Sequence, residues 1–340
     1  MKKILGILSV LIIAAFVLGA CAPTAAAPAA DTGEKKVKIC FVFQDLETEF
    51  WVAGHKAITE TLRSKGIEVL ERNANEDANR SLEMVKDCIT QKVDGIMMIP
   101  QDGESAVNII GVANEAGIPI GIFNRPPSND SNPAIVIVAN NEAIAEDAVE
   151  YMAQQAQALG RQVTPLIMVG DLGDPNAVGR RQGFMNVIEK YPSLWKTAPI
   201  EVPTKWDAAV AQAGLENAMQ ANPDVDFLFT SSDFMFPLIQ GVLEPLGKWN
   251  KVGDPNHVIM GGLDGDVTAC RLLKEGYIDA TGVQDLYFEA DSLMTAMLSS
   301  IALGEKTPEN WIDDPGFALT GGNLAEREMD MWGCKLLAEK

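Results

Sequence analysis

The sequence predicts an α/β protein built as two doubly wound parallel-sheet lobes. Three observations carry this. The chain has 340 residues, the length of two ordinary domains. Short, nearly continuous apolar runs alternate with stretches whose apolar residues recur at helical spacing, the pattern of a parallel sheet covered by helices on both faces. The alternation comes as two series separated by a break, one per lobe.

The first residues precede that pattern. Lys2 and Lys3 give a positive start, Ile4 to Val17 are almost wholly apolar, and Leu18-Gly19-Ala20-Cys21 closes the segment. A basic-then-apolar stretch ending in small residues reads as a secretory leader over residues 1–20, too short for a membrane span. Leu-Gly-Ala-Cys resembles the lipobox of bacterial lipoproteins, in which the Cys is lipidated and becomes the new N-terminus. That resemblance implies lipidation at Cys21 and anchoring to the outer face of the cytoplasmic membrane (or residence in the periplasm), since two or more acyl chains hold a protein stably. Residues 21–36 follow as a tether, Ala/Pro/Thr-rich through residue 33 and without an apolar face.

The first series then begins. Val37 to Phe43 reads as a buried strand, and Phe50, Trp51, Ala53, Gly54, Ala57, Ile58 and Leu62 recur at helical spacing. Ile67–Leu70, Gly95–Ile99 and Ile118–Phe123 read as further strands, with helices over about residues 79–91 and 104–116. The second series places strands at Leu166–Val169, Ile200–Val202, Asp226–Phe229, Val258–Met260 and Ile278–Val283. Helices fall near residues 176–190, 207–221, 233–246 and 266–275, so the crossovers are right-handed and the strands parallel.

Ligands of such sheets bind beyond the carboxyl ends of the strands. Gln44 to Trp51 follow the first strand, and an aromatic face there suits the apolar face of a sugar ring; the plain alternative packs one of Phe50 and Trp51 inside its own lobe. Asn124-Arg125-Pro126-Pro127 follow the strand ending at Phe123, offering a fork of donors and an amide, or simply a surface turn. In the second series the corresponding segments hold Gly173-Asp174-Pro175-Asn176 leading to Arg180-Arg181, then Trp206-Asp207, Ser231-Ser232-Asp233, Asp264-Gly265-Asp266 and Gln284-Asp285. Asp207 suits a helix cap, and for Asp233 and Asp266 capping is the preferred reading.

These phrases together resemble the ribose/galactose type of periplasmic sugar-binding proteins, whose core the lactose-repressor family shares. The likeness runs over residues 37 to 305 and rests on FVFQDLETEFW, GIMMIPQDGESAV, ANEAGIPIGIFNR, GRRQGF, KWDAA, NPDVDFLFTSSDFM, GGLDG and GVQD, in the family's order and spacing. It implies the type I periplasmic binding fold, with two lobes joined by a multi-strand hinge. It implies a first lobe of residues 37–139 plus 285–310 and a second of 140–284 plus 311–340. The hinge is expected near residues 139–141, near Gly262-Leu263 or Gln284, and near Trp311 to Phe317. Site residues carried over are Gln44, Thr48, Phe50, Trp51, Asn124, Arg125, Arg180, Trp206, Ser232, Asp264 and Gln284. This chain departs from the family at Ile99-Pro100, where relatives often have Asn-Pro, at Ser232 for Asn and at Thr48 for Asn; Gln101 or Asp102 is the candidate replacement for the first amide. The implied function is capture of a monosaccharide by hinge closure and delivery to the membrane subunits of an ABC-type permease, by a monomer. The alternative is a sensory protein presenting a signal molecule or nucleoside to a receptor.

Composition narrows the rivals. The formal net charge is −20, and a leader that carries off Lys2 and Lys3 leaves 25 of the 27 basic residues against all 47 acidic ones. Nucleic acid is excluded as a partner, since its binding rests on phosphate neutralisation. No helix-turn-helix precedes residue 37, which excludes a repressor. Glu47/Glu49 and Asp102/Glu104 are paired acids by proximity only, no GxSxG or HExxH is present, and there are two His, so no enzyme is expected. Cys40, Cys88, Cys270 and Cys334 fit no zinc spacing; no metal or cofactor is expected, and bridged and free thiols both remain open. Arg and acids share the strand ends, so the expected ligand is neutral.

Overall fold

A computed structural model describes residues 36–339. The leader, Cys21 and all of the tether but Lys36 lie outside them. The first series runs β1 (Lys38–Phe43), α1 (Glu49–Ser64), β2 (Glu68–Asn73), α2 (Ala78–Thr90), β3 (Gly95–Met98), α3 (Gly103–Glu115), β4 (Ile120–Phe123) and β5 (Ile135–Ala139). The second runs α4 (Asn141–Ala158), β6 (Pro165–Val169), α5 (Pro175–Lys190), β7 (Ile200–Pro203), α6 (Ala208–Ala221), β8 (Phe227–Thr230), α7 (Phe236–Leu243), β9 (Ile259–Asp264), α8 (Val267–Glu275) and β10 (Ala280–Val283). The chain ends with α9 (Leu286–Leu303), β11 (Asn310–Asp314), β12 (Phe317–Thr320), α10 (Leu324–Arg327) and α11 (Trp332–Ala338). Sequence reading passed over β5, although Ile135-Val136-Ile137-Val138 is an apolar run, and over α4 and α9.

The two sheets have matching topology, β11-β5-β4-β3-β1-β2 and β12-β10-β9-β8-β6-β7. All pairs are parallel except β12 with β10. In each sheet the order reverses beside the first strand, the switch point at which doubly wound sheets open a crevice. Central strands β1, β3, β6 and β8 are buried almost throughout, as helices on both faces require.

The chain passes between the sheets at residues 139–141, 283–286 and 314–317. Gly262 and Leu263 instead lie inside β9, so of the two expected sites Gln284 is the one at a crossing. The third crossing also comes later than the expected boundary at residue 310, because β11 pairs with β5 of the first sheet through Asp314. Asp314 binds all three crossings together. Its carboxylate accepts from the Asp285 and Gly316 N–H groups at 2.6 and 2.9 Å, and its carbonyl accepts from Asn140 N–H at 2.9 Å.

Acids at helix starts do the capping work expected of them at Asp207 and Asp266, whose carboxylates accept from Val210 and Ala269 N–H. Asp233 does not cap. It is fully buried beneath β9 and β10, accepting from Gly265 N–H at 2.7 Å and from the Thr281 hydroxyl at 2.8 Å. Burial, with Asp266 and Asp264 nearby, pushes its carboxyl well above the usual range.

The four cysteines pair within their lobes, Cys40 with Cys88 and Cys270 with Cys334. The bridged residues stand 48 and 64 apart, so loop-closure entropy contributes about 4 kcal/mol for each in the chain-entropy account.

His257 supplies a pH signature. Its Nε2 lies 2.9 Å from Asp279, and its Nδ1 lies 2.7 Å from the Asn250 carbonyl. Burial lowers its pKa, but the Asp279 hydrogen bond and charge outweigh burial and hold it above the usual 6.5. A raised folded-state pKa stabilises fully below the unfolded value of about 6.5 and is lost as pH climbs through the folded value. Wild-type protein is therefore expected to lose melting temperature relative to His257→Gln as pH rises above about 6.5. Parallel melting curves for the two proteins in scanning calorimetry would rule this out.

Candidate functional site

One cleft of about 800 Å³ lies between the sheets at their carboxyl ends, within the size range of small-molecule sites. All eleven residues proposed from the sequence line it: Gln44, Thr48, Phe50, Trp51, Asn124 and Arg125 from the first lobe, Arg180, Trp206, Ser232 and Asp264 from the second, and Gln284 at a crossing. Each ends or follows a strand or lies in the first two turns of the next helix, which is why separate segments converge here.

Two arginines face the cleft from opposite lobes. Arg125 is 4% exposed. Its Nε donates to Asp174 of the second lobe at 2.8 Å, and its Nη1 to the Pro100 and Gln101 carbonyls and to Gln44. Its guanidinium carbon sits 5.5 Å from the Trp51 ring. Arg180 repeats the arrangement. Its Nε donates to Asn141 at 2.6 Å, its Nη1 to the Ser231 carbonyl and to Asp264 at 2.9 Å, and its guanidinium carbon lies 5.7 Å from the Trp206 ring. Among the described residues neither Nη2 makes a hydrogen bond, so each guanidinium is fixed by two of its nitrogens.

At the Ile99-Pro100 departure the changed residue, Ile99, is fully buried in the hydrophobic core. The next two residues, Pro100 and Gln101, hold Arg125 through their backbone carbonyls. Gln101 and Asp102 also line the cleft, and Asp102 caps α3 through Ser105 N–H. Trp206 lies flat on Gly170, where any Cβ would overlap the indole, and its Nε1 donates to Asp174 at 3.2 Å. Phe50 and Trp51 stand edge to face at 5.0 Å, and Phe50 also meets Phe123 inside its own lobe.

A ring of buried hydrogen bonds forms the floor. Asn124 Nδ2 donates to Gln284 Oε1, Gln284 Nε2 to Asp264 Oδ1, and Arg180 bridges Asp264 to Asn141. Asn141 Nδ2 donates to Asn176 Oδ1, and Asn176 Nδ2 closes the ring on Asn124 Oδ1 at 3.1 Å. Each amide nitrogen of the ring finds an acceptor, so each amide has one workable orientation. Below the ring, the buried carboxylate of Glu289 accepts from Asn124 Nδ2 at 3.0 Å. Burial and Asp314 push its pKa well up.

Asp174, Asn176, Asn141 and Glu289 were not among the residues proposed from sequence. Asp174 and Asn176 follow β6 and had a positional signal, though Gly173-Asp174-Pro175 reads equally as a turn. Asn141 and Glu289 lie one layer below the cleft and carry no local signal.

Charge in the cleft is one-sided. Asp45, Glu47, Glu76, Asp102, Asp171, Asp174, Asp207 and Asp264 line it against Arg125, Arg180 and Lys205, so an anionic ligand meets repulsion. Glu76 shows the field, its pKa raised by partial burial and by Asp45 and Glu47. Asp264 is pushed up by burial, against the pull of Arg180 and Ser232, whose hydroxyl donates to it.

Comparison with known proteins agrees with this architecture. The periplasmic binding protein domain model matches residues 39–306. The ribose import binding protein RbsB of Bacillus subtilis is 24% identical over 291 residues, covering 84% of this chain and 88% of that protein. The D-apiose import binding protein of Actinobacillus succinogenes is 23% identical over 276 residues, covering 80% and 84%. Among solved structures, an ABC transporter solute binding protein from Bacillus halodurans with bound myo-inositol superposes with a TM-score of 0.73 at 24% identity, over 88% of this chain and 99% of that one. Its counterpart from Actinobacillus succinogenes with bound D-allose gives 0.74 at 20% identity, over 84% and 98%. At these identities the structural likeness speaks to the fold.

Proposed function

Because the chain belongs to the periplasmic binding protein domain family, we propose that it captures a neutral monosaccharide-sized polyol in the interlobe cleft and hands it to the membrane subunits of an ABC-type importer. The observation that carries this reading is the pair of locked guanidiniums. Arg125 and Arg180 enter one cleft from opposite lobes, each over a tryptophan and beside a carboxylate. A hydroxyl-rich ring meets donors at Nη2, acceptors on Asp174 and Asp264, and the apolar faces of Trp51 and Trp206. The eleven residues named above are the proposed ligand contacts.

Binding works by hinge closure and includes no chemical step on the sugar. Only the closed form presents both arginines at once, so ligand shifts the population toward it. Among the described residues no helix is long and apolar enough to cross a membrane. Lipidation at Cys21, with residues 21–36 as tether, is the proposed link to the bilayer, and the working unit is a monomer.

A thermal-shift screen of residues 34–340 against pentoses, hexoses, sugar phosphates, myo-inositol, nucleosides and amino acids tests the ligand class. Ligand at a hundred times its Kd adds about 2.7 kcal/mol of stability, a rise of several degrees. A rise with one or two neutral sugars or cyclitols is expected, and none with sugar phosphates. A rise confined to nucleosides or amino acids overturns the sugar assignment.

A further inference from the structure

We propose that Trp332, in the C-terminal segment beyond the family match, is a positioning residue of the ligand site: it holds the Asp264 backbone in place and receives Phe50 of the opposite lobe. The role assigned to Asp264 rests on the reading of the cleft given above.

The family match ends at residue 306, and α11 begins at Trp332. The indole is 1% exposed, and its Nε1 donates to the Asp264 carbonyl at 2.9 Å. Asp264 needs such a hold. Its φ is 146°, a conformation that side chains with a Cβ rarely adopt and that persists only where surrounding contacts impose it. The same loop is gripped twice more by the tail. Gly333 N–H donates to the Gly265 carbonyl at 3.0 Å, and Gly333 lies so close to the Gly265–Asp266 backbone that any Cβ would overlap it. Cys334 then bonds Cys270 in α8, the helix that Asp266 caps. The disulfide thus fixes α11 to the element directly following the ligand loop.

The other face of Trp332 meets the first lobe. Its ring lies edge to face with Phe50 at 6.0 Å, and Phe50 lines the cleft. Beside this contact, the Glu49 carboxylate accepts from Val267 N–H at 3.1 Å. Trp332 therefore touches one proposed ligand residue in each lobe, and the Phe50 contact exists only while the lobes are together.

The test compares two tryptophans of the second lobe. Trp195 is also buried and also donates to a backbone carbonyl, that of Ile188 at 2.8 Å, but neither Ile188 nor the Phe227 ring it meets lines the cleft, whereas Trp332 holds Asp264 and Phe50, which do. Trp332→Phe and Trp195→Phe in the full chain remove the same kind of bond. Titration with D-ribose, D-xylose, D-allose and myo-inositol should show Kd rising at least tenfold in Trp332→Phe and within twofold in Trp195→Phe. In the unliganded proteins, hydrogen exchange at the Gly265 and Asp266 amides should accelerate at least tenfold in the first variant only. Equal effects of the two variants on both readouts overturn the proposal. Failure of wild-type protein to bind any of the four polyols counts against the sugar reading instead, and hydrogen exchange then decides the role of Trp332 alone. Should Trp332→Phe not fold, benzothienylalanine at position 332 keeps the ring volume without the N–H. Unchanged exchange in that protein overturns the proposal.

Discussion

Arg180→Ala is expected to abolish sugar binding at millimolar concentrations and to lower stability by about 3–5 kcal/mol, because it leaves Asp264 as a buried charge without its cation. Arg180 is the hub of the floor, joining Asn141, the Ser231 carbonyl and Asp264 from three segments of the second lobe. Arg180→Lys keeps the charge but cannot span three acceptors in one plane, so it should retain most of the stability and still lose at least tenfold in affinity. Calorimetric titration and urea unfolding separate the two losses. Binding by Arg180→Ala within threefold of wild type would falsify the assignment of Arg180 to the site.

How much of this was legible in the sequence follows from where each residue sits. Strand ends are visible as apolar runs that stop, and the topology of a doubly wound sheet sends whatever follows them to one edge. Arg125, Arg180, Trp206 and Asp264 fall in or beside those segments, and the resemblance to the sugar-binding family singled them out there without coordinates. Residues that act one layer down could not. Glu289 looks like an ordinary acid on α9, yet it is fully buried against Asn124. Asn141 reads as a helix start, yet its amide joins Arg180 to Asn176. Their roles come from long-range pairing, as Glu289 and Asn124 stand 165 residues apart. The tail was the least legible. Met331-Trp332-Gly333-Cys334 has no strand or long helix around it, and its place is set by a disulfide whose pairing spacing alone left open.

The departures at Ile99 and Ser232 fall on different layers of the site. Ile99 is buried in the core beside the Pro100 carbonyl that holds Arg125, and Ser232 reaches Asp264 directly. Side-chain identity matters most where a group meets the cleft through its own terminal atoms, and backbone position matters where it supports another residue.

Asp174 combines both demands, and its replacement should move the lobes themselves. Its carboxylate accepts from Arg125 across the cleft, from Trp206 Nε1, and from Asn176 N–H at the start of the helix that carries Arg180. Both members of the Arg125 pair are nearly inaccessible, 4% and 3% exposed. The pair exists only when the lobes are closed; in an open form both charges are hydrated. Asp174→Asn removes the compensating charge from the closed form while leaving the open form almost unaffected. Closure should then cost about 2–5 kcal/mol more, the range for breaking a buried charged pair. Ligand must offset that difference, so apparent affinity falls by the fraction of closed protein lost, roughly 30-fold at the lower end. Small-angle scattering of the unliganded protein should show a larger radius of gyration for Asp174→Asn than for wild type, with the two converging at saturating sugar. An unchanged radius with weakened binding would leave Asp174 only its contact with the ligand and overturn its role as a clasp between the lobes. An unchanged radius with unchanged binding would remove the Arg125–Asp174 pair from the closure mechanism altogether.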